Sequence, residues 1–151
     1  MRERTAGFLD VMATQAPSYS VGLSDDGSFV HHRSHTSART PADMADRLKA
    51  IIALGNTHQI SRLLFDVRAA RFESSIGAQY EYAYHQARAL GLTRHWRIAL
   101  LTTPGDRSYD FMETALVNAG YVAGLFHDEL RAVEWLKGKG DALPPPAHVP
   151  Y

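Results

Sequence analysis

Cysteine is absent from the 151 residues. That excludes disulfides, thiolate zinc sites, iron–sulfur clusters and cysteine nucleophiles, and it suits a reducing compartment. Nowhere do the ~18 consecutive apolar residues of a membrane-spanning helix occur. The apolar patch at Phe8, Leu9, Val11 and Met12 is interrupted by Asp10 and is too short for an export signal. The expected location is therefore the cytoplasm. No sign of charge dominates, because 16 basic residues balance 16 acidic ones. No overall field draws the chain to nucleic acid or to an anionic membrane. Neither G-x-x-x-x-G-K-[ST] nor G-x-G-x-x-G occurs, and there is no G-x-S-x-G nucleophile elbow. The only lysines are Lys49, Lys137 and Lys139, none placed as receiver-domain chemistry needs. No cofactor, metal or catalytic residue is expected.

What is present is the composition of one folded domain, with 45% hydrophobic and 21% charged residues. The chain divides into a lead segment at 1–17, a domain at 18–137 and a tail at 138–151 that contains Pro144-Pro145-Pro146. Tyr19–Ser24 and Ser28–Thr36 flank the turn Asp25-Asp26-Gly27 and read as a hairpin. Thr40-Pro41 is a helix start, with Met44, Leu48, Ile51 and Ile52 at helical spacing and Gly55-Asn56 as the stop. Leu63-Leu64-Phe65 lacks alternation and reads as a strand covered on both faces. Ser74 or Ser75 caps the next helix, with Ile76, Tyr80, Ala83, Tyr84, Ala87 and Leu90 as its apolar stripe. Trp96–Leu101 is another two-sided strand, 107–119 a helix ended by Gly120, Tyr121–Phe126 the last strand, and Asp128-Glu129 opens a final helix to about Lys137. The expected class is α/β: a mixed sheet covered by helices, in the order β-β-α-β-α-β-α-β-α, with right-handed crossovers.

Two segments carry a family resemblance. Leu64-Phe65-Asp66-Val67 followed by Phe72-Glu73-Ser74-Ser75-Ile76-Gly77 resembles the anti-sigma-factor antagonist pattern, in which a strand ends in a loop and Asp-Ser-Ser-Gly opens a helix. Leu125–Leu136, with Phe126-His127-Asp128-Glu129 ahead of Ala132-Val133-Glu134-Trp135-Leu136, resembles the last strand and helix of SpoIIAA-like proteins. The chain is thus similar to a SpoIIAA-like, STAS-type domain. That resemblance implies a non-enzymatic regulatory or binding module, acting through a protein partner or small ligand and switched by phosphorylation at Ser75. Glu73 stands where the antagonists have aspartate, and Ile76 where they have glycine. The related CRAL-TRIO shape implies the alternative, a carrier of a small apolar, lipid-like ligand in an internal cavity.

Read from the residues themselves, Ser74 and Ser75 sit at a helix N-terminus with Arg68 and Arg71 nearby, a place for phosphate or another anion as well as for a simple cap. The carboxyl ends of the parallel strands collect Asp66, Thr102, Thr103, Gly105, Asp106 and His127 as a candidate ligand rim. An acid/base role for Asp66, Asp106 and His127 would require the three to share a substrate. His31, His32 and His35 read as solvated strand histidines, since His31 and His35 lie roughly 13 Å apart on a strand. Tyr80 and Tyr84 read as core and Tyr82 as facing away; Tyr82, Phe111 and Trp135 are aromatic candidates for a partner surface or cavity wall. The Phe8–Met12 patch packs either on its own domain or across a homodimer.

Overall fold

The computed structural model describes residues 17–38, 40–72 and 75–138. Apart from Pro17 and Gly138, the expected lead and tail lie outside those residues, as do Ser74 and the Phe8–Met12 patch. Strands β1 (Tyr19–Leu23) and β2 (Val30–Ser34) form an antiparallel pair, with Tyr19 opposite Ser34 and Leu23 opposite Val30. Their turn is organised by Asp26, whose carboxylate accepts hydrogen bonds from the Ser24 and Ser28 hydroxyls, while Gly27 takes a φ of +73°. Helix α1 (Pro41–His58) begins as expected: the Thr40 hydroxyl accepts a bond from Asp43 N–H and Pro41 occupies the first turn. Strand β3 (Arg62–Asp66) follows.

Helix α2 runs through 76–89. It comprises a turn and a half of α-helix (Ile76–Glu81), a π segment (Tyr82–Gln86) and a closing α segment (Ala87–Ala89). Strand β4 (Arg97–Leu101), helix α3 (Asp110–Asn118), strand β5 (Val122–Phe126) and helix α4 (Glu129–Leu136) complete the described residues. Asp128 caps α4 through Leu130 N–H.

The five strands form one mixed sheet in the order β1-β2-β3-β4-β5, and β2 through β5 are parallel. Because each parallel strand is laid beside the one before it, always in the same direction, every right-handed crossover places its helix on the same face. Helices α1, α2 and α3 accordingly share one core with Leu63, Ile98 and Leu125. Helix α4 follows the last strand, has no crossover to obey, and packs Trp135 and Leu136 on the opposite face against Leu64, Leu101 and Phe126. Leu63 and Leu64 are both buried, one on each face, which is why that run does not alternate.

Two local readings change. The first helix does not stop at Gly55-Asn56 but continues to His58 and ends on Gln59 in the left-handed conformation, φ 58°. Gly55 serves packing instead: a Cβ there would meet the Trp96 ring and stand 2.6 Å from the Ile60 carbonyl oxygen. The stripe on α2 is also rotated. The π segment widens the turn, so residues four apart, Gln79, Ala83 and Ala87, line up on the buried face. Ile76 and Tyr80 are left exposed at 64% and 49%. Tyr82 and Tyr84 are partly buried and pack against the core, while the exposed Tyr80 stacks on Tyr84 with ring centroids 4.2 Å apart.

Candidate functional site

A strand order that never reverses has no topological switch point, so the carboxyl ends of the strands do not open into the crevice usual for doubly wound sheets. The candidate rim residues are instead divided between separate partners. Asp66 ends β3 on the α4 face, and its side chain is 3% exposed. Arg68 clasps it with two bonds, Nε to Oδ1 at 3.0 Å and Nη2 to Oδ2 at 2.8 Å, and reaches Glu129 of α4 at 3.0 Å. Arg33 Nε stands 3.4 Å from the same carboxylate and His31 Nε2 3.9 Å. Burial works to raise the Asp66 pKa, but His31 and Arg68 together outweigh it and hold the group well below the usual carboxylate range. A carboxylate so held is a fixed counter-ion, unsuited to carrying a proton near neutral pH.

Asp106 lies elsewhere. It accepts a bond from Ser108 N–H at 2.8 Å and stands 3.5 Å from Arg71 Nη1. With Ser37, Arg68, Arg71, Thr103 and Gly105 it lines an open polar groove of about 420 Å³. His127 Nδ1 pairs with the buried Thr102 hydroxyl at 3.1 Å. Among the described residues, no hydrogen bond or ion pair joins Asp66, Asp106 and His127 to one another, and no group of three or more His, Asp or Glu side chains is placed to hold a metal ion. Ser75 is exposed and caps α2, its Oγ accepting a bond from Ala78 N–H at 3.1 Å. The loop before it is tied down by two hydroxyls, Ser37 accepting from Arg71 N–H and Ser108 from Phe72 N–H.

A less open, apolar space lies on the other face of the sheet. Between the β2–β4 surface and helices α1, α2 and α3 lies an apolar cavity of about 60 Å³. Leu48, Phe65, Tyr82, Leu100, Tyr109 and Met112 supply much of its wall. Phe72 and Tyr109, stacked 5.0 Å apart, both face it. One charged side chain belongs to this wall. Arg47 is 4% exposed and donates to the Ser34 hydroxyl at 2.8 Å and to the Thr36 carbonyl at 3.1 Å, with its guanidinium 5.1 Å from the centre of the Tyr19 ring. Among the described residues, no carboxylate stands within ion-pair distance of it. Burial lowers its pKa.

Beside the cavity wall, His32 is fully buried between Tyr19 and Phe65, with ring centroids 5.5 and 4.3 Å away. Neither ring nitrogen has a hydrogen-bond partner among the described residues. Burial, then Arg47 and His31, push its pKa down to about 3 against the opposing pull of Asp66. Of the three clustered histidines expected to be solvated, only His35 is exposed. Trp135 is core, buried beside Phe126, and Phe111 is half-buried.

Sequence reasoning missed Arg47, Tyr109 and Phe72 as wall residues. A signal for Arg47 did exist: it stands three residues after Met44 and four before Ile51, inside the apolar stripe of its own helix. No protein-family model, curated protein or solved structure matches this chain.

Proposed function

We propose that the protein is a cytoplasmic, non-enzymatic STAS-like binding module whose ligand is a small, mainly apolar molecule held between the sheet and helices α1, α2 and α3. The observation that carries this reading is the apolar cavity. Native cores leave few voids larger than a water molecule, yet here about 60 Å³ stays open beneath three helices. Its size limits the ligand. Pockets for drug-sized molecules begin at roughly 300 Å³, so a long acyl chain does not fit unless a helix is displaced. The π segment of α2 places Tyr82 on the wall, and such segments recur at functional sites. The order of the elements and the segments around Ser75 and Trp135 support the STAS-like kinship. Native mass spectrometry of gently purified protein is expected to show a small co-purifying mass that is lost on denaturation. Absence of any adduct, together with no xenon-induced shift of the Leu48 or Met112 methyl resonances, would remove the cavity reading.

A second reading attaches to Ser75, because its side chain is exposed while its oxygen caps α2. Ser75→Ala is expected to cost about 1 kcal/mol, and Ser75→Asp to restore most of it, since aspartate is an equally good cap and its charge suits a helix N-terminus. Denaturant midpoints of the two variants check this. Phosphopeptide mapping of protein from its native cells tests the switch, and an unmodified Ser75 under every growth condition counts against it.

A further inference from the structure

Arg47 raises a question that cavity geometry alone does not answer. A buried charge is costly unless it is paired and hydrogen-bonded, and a guanidinium cannot escape by losing its proton. Yet this one is held by a serine hydroxyl, a backbone carbonyl and a tyrosine face, all neutral. Two of its five N–H donors are accounted for by those hydrogen bonds. Arg47 belongs to the cavity wall together with Ser34, whose hydroxyl its guanidinium binds, while the rest of the wall is mainly aliphatic and aromatic. The charge is also far better desolvated than the other arginines near the candidate rim. Arg68 already has Asp66 and Glu129, and Arg71 already faces Asp106.

A cation with no described carboxylate within ion-pair distance and only the more distant pull of Asp43, set in the wall of a mainly apolar chamber, selects a ligand with one anionic end and a short hydrocarbon body. We propose that the cavity binds a small aliphatic monocarboxylate, its carboxylate on the Arg47 guanidinium and its alkyl part against Leu48, Leu100 and Met112. This rests on the cavity reading above and adds the chemistry of the ligand. An engineered cavity of about 150 Å³ accepts the six heavy atoms of benzene, so a chamber of about 60 Å³ suits an acid of only one or two carbons. Planar, bidentate recognition of a carboxylate is the task for which arginine is better suited than lysine.

The test uses the full chain and three probes followed by NMR: acetate, its neutral isostere acetamide, and xenon. Acetate is expected to bind at least tenfold more tightly than acetamide to the wild-type protein, shifting methyl and ring resonances of Leu48, Tyr82 and Met112. Arg47→Met is expected to abolish that preference while leaving the xenon response in place. Equal binding of the acid and the amide, or an acid preference that survives Arg47→Met, overturns the carboxylate assignment and leaves the cavity reading standing. No response to xenon or to either organic probe overturns both. Because the acid-to-amide comparison is made on the wild type, a failure of Arg47→Met to fold does not remove the test.

Discussion

Acidification from pH 7 to pH 4.5 is expected to cost this protein about 2.7 kcal/mol through His32 alone. The folded-state pKa lies near 3 and the ordinary value is 6.5. Between those two values the unfolded chain binds a proton that the folded chain refuses, so stability is fully present above pH 6.5 and falls as pH drops toward 3. At pH 4.5 the loss is two units below the unfolded value, at about 1.36 kcal/mol per unit. The structural reason is the sandwich: Tyr19 and Phe65 cover both faces of the imidazole, and the nearest charge that could welcome a proton, Asp66, is opposed by Arg47 and His31. Asp66 does not confuse the result. Its folded pKa is depressed below 3.8, so its contribution persists above that value and is lost only at lower pH. Urea unfolding at the two pH values, on wild type and His32→Phe, measures the effect. The phenylalanine variant should lose most of the pH dependence, and an identical slope in both proteins would remove His32 as its source.

Arg68→Met is expected to destabilise the fold by about 2–3 kcal/mol, at and below the lower end of the roughly 3–5 kcal/mol for breaking one side of a buried pair, because the arginine side chain is itself 38% exposed. The cost comes from Asp66. The carboxylate, 3% exposed in the native fold, loses its bidentate partner and keeps only Arg33, the His31 imidazole and the backbone N–H of residue 68 to balance it. Removing the charge as well, in the double variant Asp66→Asn, Arg68→Met, should recover a large share of the loss, since the desolvated ion is then gone. Thermal or denaturant unfolding of the single and double variants gives the coupling directly. A single variant within about 0.5 kcal/mol of wild type, the usual scale of a surface substitution, would show that Arg68 is a surface decoration rather than the clasp of β3 to α4.

Much of the architecture was legible in the chain because it is governed by local chemistry. Thr40, Ser75 and Asp128 accept bonds from the first-turn N–H groups of their helices. Gly27 and Gly120 take the positive φ their turns need. The non-alternating run Leu63-Leu64-Phe65 pointed to a strand with both faces covered. These features act over a few residues, so their signal lies in adjacent letters. Tyr82 and the histidines were harder. An ideal helical turn puts Tyr82 on the outer side of its helix, but the π segment changes the angle between successive residues. His32 lies on a strand whose neighbours Tyr19 and Phe65 are supplied by other strands. Neither environment is written near the residue it affects.

The sequence by itself determined an α/β chain, its hairpin, its sequence of strands and helices, and the absence of thiol chemistry, because periodicity, capping and composition need no partner from elsewhere. Tertiary structure alone decided that Gly55 is a packing contact for Trp96, that Asp66 and Asp106 belong to different surroundings, that His32 is sealed between two rings, and that Arg47 lines a mainly apolar cavity with no carboxylate within ion-pair distance among the described residues. Each of these depends on which distant side chains exclude water from a group and which supply its counter-charge. Solvation and pairing are properties of the assembled neighbourhood, and local sequence spacing does not encode them.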